Sequence, residues 1–383
     1  MVRKEAAAKT AIVLPTARWV AAFRKALVAW FARERRDLPW RRSRDPYSVW
    51  LSEIMLQQTT VAAVVAYYER FLARLPTVAA LAAAPERDVL RLWEGLGYYR
   101  RARQLHRAAQ VIVAEHGGVF PSEPDAVRAL PGIGRYTAGA ILSIAFDRPE
   151  PILEANTVRL LSRLAAYRDD PLAKPGQALL WAWAAALVPR EEPGLFNQAL
   201  MELGALVCTP REPKCAVCPV AKLCPTNKLG LQAEIPKPKA KKQFEDVREA
   251  AVLVEHRGKV LLVERSAGTR WAGLWDFPRF ALEAESPPAI HAELRRKLQE
   301  SLGIAAEIRF LTTTLKHGVT RFRITLDAYE AAYLGGKLTP RGFAAARWVG
   351  FDAMTRYPLN TTGRKISHLW GIRKKALKTA EKR

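Results

Sequence analysis

The first 225 residues of the chain carry apolar side chains at helical spacing, three or four residues apart. The clearest case is one face of a predicted helix over 18–36, formed by Trp19, Phe23, Leu27 and Phe31. Asp45-Pro46 predicts the start of a second helix, because aspartate caps helices and proline suits their first turn. Further helices are predicted at about 60–75, 77–84, 86–94, 100–116, 135–146, 156–168, 175–188 and 194–207. No alternating strand pattern interrupts them, so we expect an all-α region.

The pattern changes after a stretch rich in proline and lysine. Residues 228–245 have no apolar period, which is typical of a linker between domains. The residues beyond it favour a smaller α+β domain, with strands at 247–254, 259–264, 306–314, 320–331 and 345–349 and a helix at 288–301. We therefore expect a tail over 1–17, domains over 18–227 and 246–370, and a basic tail over 371–383.

The net charge of the chain limits the classes of molecule that it is expected to bind. Lysine and arginine number 61 against 37 aspartates and glutamates, which gives a net charge of +24. Such an excess points to a polyanion, with nucleic acid ahead of an anionic membrane surface. The sequence has no apolar run long enough to span a membrane and no signal-peptide core. We expect a cytoplasmic, nucleoid-associated monomer, and no protein partner is identified.

Two closely spaced glycines interrupt the helical pattern in the middle of the first region. Gly132 and Gly134 lie between helical flanks and predict a helix, a tight glycine hairpin and a second helix. Without side chains over the hairpin, backbone N–H groups and the following helix N-terminus could bind one DNA phosphate. An ordinary helix–helix turn is the alternative explanation for such a pair alone.

All four cysteines lie within one short segment. Six, two and five residues separate Cys208, Cys215, Cys218 and Cys224, which favours one metal centre over a disulfide framework. Zinc can also use four cysteines, but zinc ribbons usually have two Cys-x-x-Cys pairs and this chain has one. Four thiolates in one compact loop favour an iron–sulfur cluster. The spacing, after a glycine hairpin, resembles the [4Fe-4S] loop of the endonuclease III superfamily of DNA glycosylases.

That resemblance gives the residue at position 136 a diagnostic value. Superfamily members that also cleave the DNA backbone have a lysine two residues after the second glycine, because its amine forms a Schiff base with the sugar. This chain has Tyr136, and a phenol cannot form an imine. The resemblance therefore implies a monofunctional glycosylase that uses water as the final nucleophile.

Further segments resemble the adenine DNA glycosylases of the MutY type. They are Leu-Pro-Trp-Arg at 38–41, Trp-Leu-Ser-Glu-Ile-Met-Leu-Gln-Gln-Thr at 50–59, Trp-Glu-Gly-Leu-Gly-Tyr-Tyr-Arg at 93–100 and Phe-Asn-Gln-Ala-Leu-Met-Glu-Leu-Gly at 196–204. The resemblance implies that Glu53 is the general acid that protonates adenine. Its position in an apolar helix supports this role independently, because desolvation raises a carboxyl pKa. A structural ion pair with an arginine is the alternative.

The same resemblance implies a second carboxylate that stabilises the oxocarbenium-like sugar. The family has Leu-Asp-Gly-Asn-Val where this chain has Leu-Glu-Ala-Asn-Thr at 153–157, so Glu154 is the expected counterpart, one methylene longer. Asn156 is expected to hydrogen-bond the carboxylates, and Tyr136 to contact them from the hairpin side. The departures also leave open an altered substrate or a catalytically weakened DNA-binding protein.

The remaining expectations concern DNA and the damaged base. A base inside a duplex must be flipped out before it can react. By resemblance Gln57 and Tyr98 would fill the gap, and Arg41 would bind DNA. Residues 296–304 resemble a Nudix box in which Lys297 and Ser301 replace two acidic residues, so the domain is expected to recognise rather than hydrolyse.

In MutY-type proteins this domain senses 8-oxoguanine through a Phe-Ser-His turn, which aligns here with Val319-Thr320-Arg321. The sequence thus predicts an all-α helix–hairpin–helix domain with a [4Fe-4S] loop, followed by a Nudix-like α+β domain. Its predicted function is removal of adenine from double-stranded DNA containing A:8-oxoguanine or A:G mispairs. The alternative enzyme is an endonuclease III-like glycosylase and lyase for oxidised pyrimidines.

Overall fold

The structure, a computed structural model, describes residues 13–238 and 243–380, and the side chains of the final helix as far as Arg373. Its contacts divide the chain into two compact units. The helical unit contains 13–83 and 104–238 of the described residues, and the sheet unit contains 84–103 and 243–380. The sequence predicted one uninterrupted domain over 18–227, so the grouping of 84–103 with the C-terminal residues is a difference.

The described residues 13–238 form helices and no strands. The helices are α1 (Ala17–Glu34), α2 (Pro46–Leu56), α3 (Val61–Arg74), α4 (Val78–Ala83), α5 (Glu86–Leu92), α6 (Arg100–His116), α7 (Pro124–Ala129), α8 (Arg135–Phe146), α9 (Ala155–Leu164), α10 (Lys174–Leu187), α11 (Pro193–Leu206) and α12 (Pro225–Lys228). Short 3-10 turns occupy Pro39–Arg41, Cys215–Val217 and Ala221–Leu223. Most of these helices begin and end within a few residues of the predicted bounds.

Helix α8 lies at the centre of the helical unit and packs against α2 and α11. Asp45 caps α2 as predicted, since its side chain accepts a hydrogen bond from the Ser48 backbone N–H at 2.8 Å. Gly194 allows α11 to approach α8 closely, because a Cβ there would lie 2.5 Å from the Ser143 carbonyl oxygen. This close packing brings polar side chains of α2, α8 and α11 into one region of an otherwise apolar core.

The first part of the predicted linker is packed rather than extended. Ile235 is buried, and the Arg163 guanidinium donates hydrogen bonds to the carbonyl oxygens of Ile235 at 2.8 Å and Gln232 at 2.9 Å. These contacts join residues about 70 positions apart, so no local pattern could predict them. The predicted tail over 371–383 also differs, because a helix continues through it to Ala380. Residues 1–12 of the predicted N-terminal tail lie outside the described residues.

The sheet unit contains a seven-stranded sheet with a helix on each face. Its elements are β1 (Glu245–His256), β2 (Lys259–Arg265), β3 (Trp275–Asp276), β4 (Arg279–Ala281), α13 (Pro287–Leu302), β5 (Ile304–Val319), β6 (Phe322–Gly336), β7 (Phe343–Gly350), a 3-10 turn (Phe351–Arg356) and α14 (Thr361–Ala380). The strand order is β3-β2-β1-β6-β5, with β4 on β1 and β7 on β2. Only the β1–β6 pair is parallel.

Side chains of β1 alternate between the two faces of this sheet. Ala250 and Val252 pack in the cluster that contains α13, whereas Ala251 and Leu253 pack in the cluster that contains Ile366 and Trp370 of α14. Strands β5 and β6 are longer than predicted and form a hairpin. Strand β6 begins at Phe322, two residues after the approximate predicted start, because Thr320 has a left-handed backbone with φ of 54° in the two-residue turn.

Candidate active site

A cavity of about 440 Å³ opens in the helical unit between α2, α8, α9 and α11. It contains six of the residues singled out from the sequence: Glu53, Gln57, Tyr136, Glu154, Asn156 and Arg41. These residues come from positions up to 115 apart in the chain, since the set extends from Arg41 to Asn156. Tyr98 and Thr320 lie in the sheet unit and do not line this cavity.

Glu53 is a buried carboxyl with one close hydroxyl partner. Its side chain is carried into the core by α2, where only 5% of the residue is exposed. The Tyr136 hydroxyl, from the first turn of α8, donates a hydrogen bond of 2.6 Å to Glu53 Oε2. Burial raises the pKa of Glu53 to about 7, an effect that the Tyr136 hydrogen bond opposes and the Glu154 charge reinforces. Glu53 can therefore hold and release a proton near neutral pH.

Glu154 is held at the N-terminus of α9 by a capping box. Its two carboxylate oxygens accept hydrogen bonds from the backbone N–H groups of Asn156 at 2.8 Å and Thr157 at 2.9 Å. Thr157 Oγ1 in turn accepts the Glu154 N–H at 2.7 Å. Burial raises the pKa of Glu154, whereas these backbone bonds and the Asn156 side-chain bond lower it. On balance the pKa of Glu154 is raised, because burial outweighs these bonds, and the helix N-terminus fixes the position of the carboxyl.

A third carboxyl in the cavity wall is Glu202 on α11, whose pKa is shifted in the opposite direction from that of Glu53. It is buried and accepts hydrogen bonds from Arg36 at 2.7 Å and Arg41 at 2.9 Å. Burial alone would raise its pKa, but the two guanidinium groups lower the pKa to about 2. Glu202 is therefore an anion and Arg41 is engaged by it, so the prediction that Arg41 binds DNA stays a prediction. Glu202 was not predicted from the sequence as a site residue, although it also lies in an apolar helix.

Two neighbouring glutamines after α2 have different environments. The Gln57 amide faces the cavity and donates to Thr137 Oγ1 at 3.4 Å. Gln58 is exposed and has a left-handed backbone with φ of 58°. Family resemblance, rather than geometry, singled out Gln57. Gln58 also lines the cavity and is the more exposed of the two, so the role of Gln57 stays a prediction.

The glycine hairpin has the predicted form. Gly132 has a φ of 79°, and a Cβ there would lie 2.7 Å from Gln104 Cβ. Gly134 caps α8, and nothing lies within 4 Å of the position that its Cβ would take. Arg135, the next residue, stacks over the Trp181 ring at 3.8 Å. The hairpin thus presents open backbone and a guanidinium at a helix N-terminus, which suits a phosphate.

A second cavity of about 460 Å³ adjoins the first and shares Arg36, Arg41, Ile144 and Gln198 with it. Five arginines contribute to its lining, namely Arg35, Arg36, Arg41, Arg42 and Arg44. Three carboxylates pair with four of them: Glu202 with Arg36 and Arg41, Asp37 with Arg42, and Asp147 with Arg44. The surface beside the cavity of Glu53 therefore keeps an excess of positive charge, because five arginines face three carboxylates.

The four cysteines form no disulfide with one another and line one small pocket. The Arg163 guanidinium donates to Cys208 Sγ at 3.3 Å and to the Thr209 carbonyl oxygen at 2.8 Å, which fixes the start of the loop. Burial raises the pKa of Cys218 to about 11, and the neighbouring cysteine charges add to this effect. Within the described ranges 13–238 and 243–380, no group of three or more histidine, cysteine or acidic side chains is arranged to hold a single metal ion.

The predicted site residues of the sheet unit occupy two turns. Tyr98 has a left-handed backbone with φ of 46°, and 52% of it is exposed. Thr320 is exposed at the tip of the β5–β6 hairpin, where its hydroxyl donates to the Val319 carbonyl oxygen at 2.7 Å. At the Nudix-like segment, Lys297 Nζ donates to Glu293 Oε1 at 2.6 Å, so a basic side chain pairs with the nearby carboxylate.

Comparison with known proteins places both parts of the chain. Residues 51–186 match the HhH-GPD superfamily base excision DNA repair protein model, and residues 249–369 match the NUDIX domain model. The chain is 34% identical to the adenine DNA glycosylase of Rattus norvegicus, over 92% of this chain and 78% of the relative. It is 33% identical to the adenine DNA glycosylase of Homo sapiens, over 92% of this chain and 74% of the relative.

A solved structure of a thermostable thymine-DNA glycosylase is similar to the helical part, with a TM-score of 0.51 and 31% identity over 55% of this chain and 98% of that chain. These findings confirm the MutY-type resemblance, the fold class and the prediction of an enzyme. Across the described residues, no helix is long and apolar enough to cross a membrane. Because relatives above 30% identity align over most of both sequences, the chain belongs to the adenine DNA glycosylase family, as a base-excision repair DNA glycosylase with a Nudix-like C-terminal domain.

Proposed function

We propose that this enzyme hydrolyses the N-glycosidic bond of adenine mispaired with 8-oxoguanine or guanine in double-stranded DNA. The observation that carries the proposal is the pairing of a protonatable Glu53 with a fixed Glu154 in one cavity. A duplex base cannot reach an enclosed cavity, so the adenine nucleotide must first be flipped out of the helix. The basic surface and the glycine hairpin would hold the strand through its phosphates.

Departure of the base needs a proton, which Glu53 would supply. The Glu53 carboxyl protonates a ring nitrogen of adenine while the bond from that base to the sugar C1′ breaks. The electron pair of the broken bond leaves with the base, which departs as neutral adenine. Since the pKa of Glu53 is raised to about 7, a large fraction of the carboxyl holds this proton at neutral pH.

The sugar then carries a positive charge, and Glu154 is the group that would stabilise it. Its carboxylate is held by two backbone N–H groups and needs no rearrangement when the charge develops. Asn156 assists by its own bond to Glu154. A water molecule adds to C1′, and its proton passes to the Glu53 carboxylate, which restores the enzyme.

A lyase reaction lacks its nucleophile in this cavity. The position that carries the amine in lyases is Tyr136, whose hydroxyl donates to Glu53 at 2.6 Å and also contacts Met201 Sδ at 3.3 Å. Among the lining residues, all of which belong to the described part of the chain, there is no lysine. These features favour the monofunctional reaction over the endonuclease III-like alternative.

Recognition of the mispair would involve the exposed turns. Tyr98 is exposed enough to enter a duplex. On the helical unit Gln57 and the more exposed Gln58 both line the cavity, so either side chain would lie beside the flipped nucleotide. Thr320 at the hairpin tip would contact the base opposite adenine. The Lys297–Glu293 pair at the Nudix-like segment favours a recognition role for this domain over hydrolysis.

The cysteine pocket supports a [4Fe-4S] cluster as the cofactor. Cys208, Cys215, Cys218 and Cys224 would hold it, and four thiolates in one pocket suit such a cluster. The cluster would supply a structural crosslink, holding a loop that carries Lys214 and Lys222 for the DNA backbone. We place the enzyme in the cytoplasm with nucleoid DNA, which its net charge of +24 supports.

One duplex experiment tests the proposal. The protein is incubated with a duplex carrying adenine opposite 8-oxoguanine, and abasic sites are then cleaved with alkali. We expect strand breaks at the adenine only after alkali, and no adduct when borohydride is added during the reaction. Breaks without alkali together with a trapped adduct would favour a lyase, whereas no break at all would favour an inert DNA-binding protein.

A further inference from the structure

Within the sheet unit, a buried ion pair joins the segment before Tyr98 to helix α14. The Glu94 side chain is 7% exposed, and Arg364 donates to its two carboxylate oxygens at 2.6 and 3.0 Å. The Leu359 backbone N–H donates to the same carboxylate at 3.2 Å, as does the Arg91 guanidinium at 3.2 Å. A bidentate, mostly buried pair of this kind has a defined geometry, unlike a surface salt bridge.

Several backbone contacts extend the pair into a clamp on residues 354–359. Arg364 donates to the carbonyl oxygens of Met354 at 3.2 Å and Tyr357 at 2.8 Å. Arg91 Nε donates to the Thr355 carbonyl oxygen at 2.6 Å, and the Tyr99 hydroxyl to that of Leu359 at 3.3 Å. Side chains on both sides of Tyr98 in the sequence are therefore fixed to the C-terminal residues.

The turn between these contacts is itself tightly constrained. Gly95, Gly97 and Tyr98 have φ values of 103°, 72° and 46°. The Trp93 indole N–H donates to the Gly97 carbonyl oxygen at 3.1 Å, and Arg101 donates to the same oxygen at 3.2 Å. A tyrosine with positive φ is sparsely populated and persists where its surroundings determine it. The backbone of Tyr98 is therefore fixed between Glu94, which binds Arg364, and Tyr99, which binds Leu359.

The clamp also continues by hydrogen bonds towards the hairpin strand β5. Asn360, next to Leu359, accepts from the Thr362 hydroxyl at 2.8 Å, and Arg279 donates to the same hydroxyl oxygen at 3.1 Å. Arg279 also lies 3.4 Å from His317 Nε2, three residues before Thr320. Contiguous contacts thus run from the turn of Tyr98 to the hairpin that carries Thr320.

We propose that Glu94 and Arg364 are positioning residues through which the C-terminal domain sets the orientation of Tyr98 for insertion into DNA. The inference rests on the proposed function only in taking Tyr98 as the residue that enters the duplex. Binding of the base opposite adenine by the C-terminal residues is thereby coupled to the insertion of Tyr98. If the pair merely stabilised the fold, removing it would change stability without changing the insertion of Tyr98 into DNA.

The test measures insertion directly, with the full-length protein and a duplex that carries 2-aminopurine beside the adenine opposite 8-oxoguanine. Its fluorescence rises when neighbouring stacking is broken, and this signal does not require base removal. The variants are Glu94→Gln, Arg364→Lys, Tyr98→Ala and the double variant Glu94→Gln/Tyr98→Ala. Arg296→Gln is the matched control, because the Arg296–Glu300 pair is exposed and lies in the same unit.

We expect Glu94→Gln and Tyr98→Ala each to lose most of the fluorescence rise and about tenfold in DNA affinity, with no further loss in the double variant. Arg364→Lys should keep part of both, and Arg296→Gln should match the wild type. Additive losses in the double variant, or an unchanged signal in folded Glu94→Gln, would overturn the inference. If Glu94→Gln does not fold, the fluorescence rise of Arg364→Lys and of Tyr99→Phe, which removes the hydrogen bond to Leu359, tests the inference instead.

Wild-type protein that shows the fluorescence rise but releases no adenine would refute the proposed function and leave this coupling supported. Wild-type protein that releases adenine while Tyr98→Ala keeps the full signal would refute the coupling alone.

Discussion

Replacing Tyr136 by phenylalanine removes one hydroxyl from the cavity and leaves the ring that fills the space. That hydroxyl donates 2.6 Å to Glu53 Oε2, and a hydrogen bond to the charged form of a carboxyl lowers its pKa. Such bonds contribute about 1.5–3 kcal/mol, and one pKa unit corresponds to about 1.4 kcal/mol. Tyr136→Phe should therefore raise the pKa of Glu53 by roughly one unit or more, from about 7 towards about 8.

The assay is single-turnover release of adenine from an A:8-oxoguanine duplex between pH 5 and pH 9. Because the protonated form of Glu53 reacts, the wild-type rate should fall as the pH rises through about 7. In Tyr136→Phe this fall should shift upward by about one pH unit. Tyr333→Phe is the control, since its hydroxyl donates to the Gly336 carbonyl oxygen in the sheet unit. A midpoint that stays in place or moves down in Tyr136→Phe would show that the Tyr136 hydroxyl does not lower the pKa of Glu53.

Three other substitutions test the carboxyls of the cavity. Glu53→Gln should raise the free energy of unfolding at pH 8 by as much as about 3 kcal/mol but hardly at pH 4. The reason is that the pKa of Glu53 is raised from 4.5 to about 7, so the cost of burying the charged carboxylate grows over that pH window. Equal stability changes at both pH values in urea titrations would contradict this prediction. Glu154→Asp should keep the α9 cap, with a free energy of unfolding within about 0.5 kcal/mol of the wild type. It should release adenine more slowly, because the shorter side chain retracts the carboxyl. A faster rate would show that the longer side chain is a handicap. Glu202→Gln should lower the free energy of unfolding, measured in urea, by about 3 kcal/mol, because it leaves the Arg36 and Arg41 charges without their anion. Wild-type stability would contradict this role of Glu202. Since the pKa of Glu202 is lowered to about 2, its contribution to stability should be lost as the pH falls from 4.5 towards 2.

Glu53 and Glu202 show how far sequence reasoning reaches in this site. Both lie in apolar helices, so the argument that burial raises a carboxyl pKa applies equally to each. The structure separates them, because Glu202 meets two arginines from residues 36–41 and Glu53 meets a tyrosine hydroxyl. Which partner a buried carboxyl finds depends on long-range packing, which local patterns do not encode.

The same distinction applies to the fold. Helix and strand positions follow local periodicity, and most were predicted within a few residues. The packing of Ile235 against Arg163 and the binding of Glu94 to Arg364 could not be predicted, since these contacts join distant parts of the chain. Residue spacing also could not predict backbone conformation, such as the left-handed backbone of Gln58 next to Gln57.

The central claim is that Glu53 and Glu154 act together on one flipped adenine nucleotide. The most direct measurement compares single-turnover adenine release by Glu53→Gln, Glu154→Gln and the double variant on the A:8-oxoguanine duplex. We predict that each single change lowers the rate by about 100-fold or more and that the double variant is little slower than the slower single variant, because groups that act as a unit are not additive. A wild-type rate in either single variant would contradict the account.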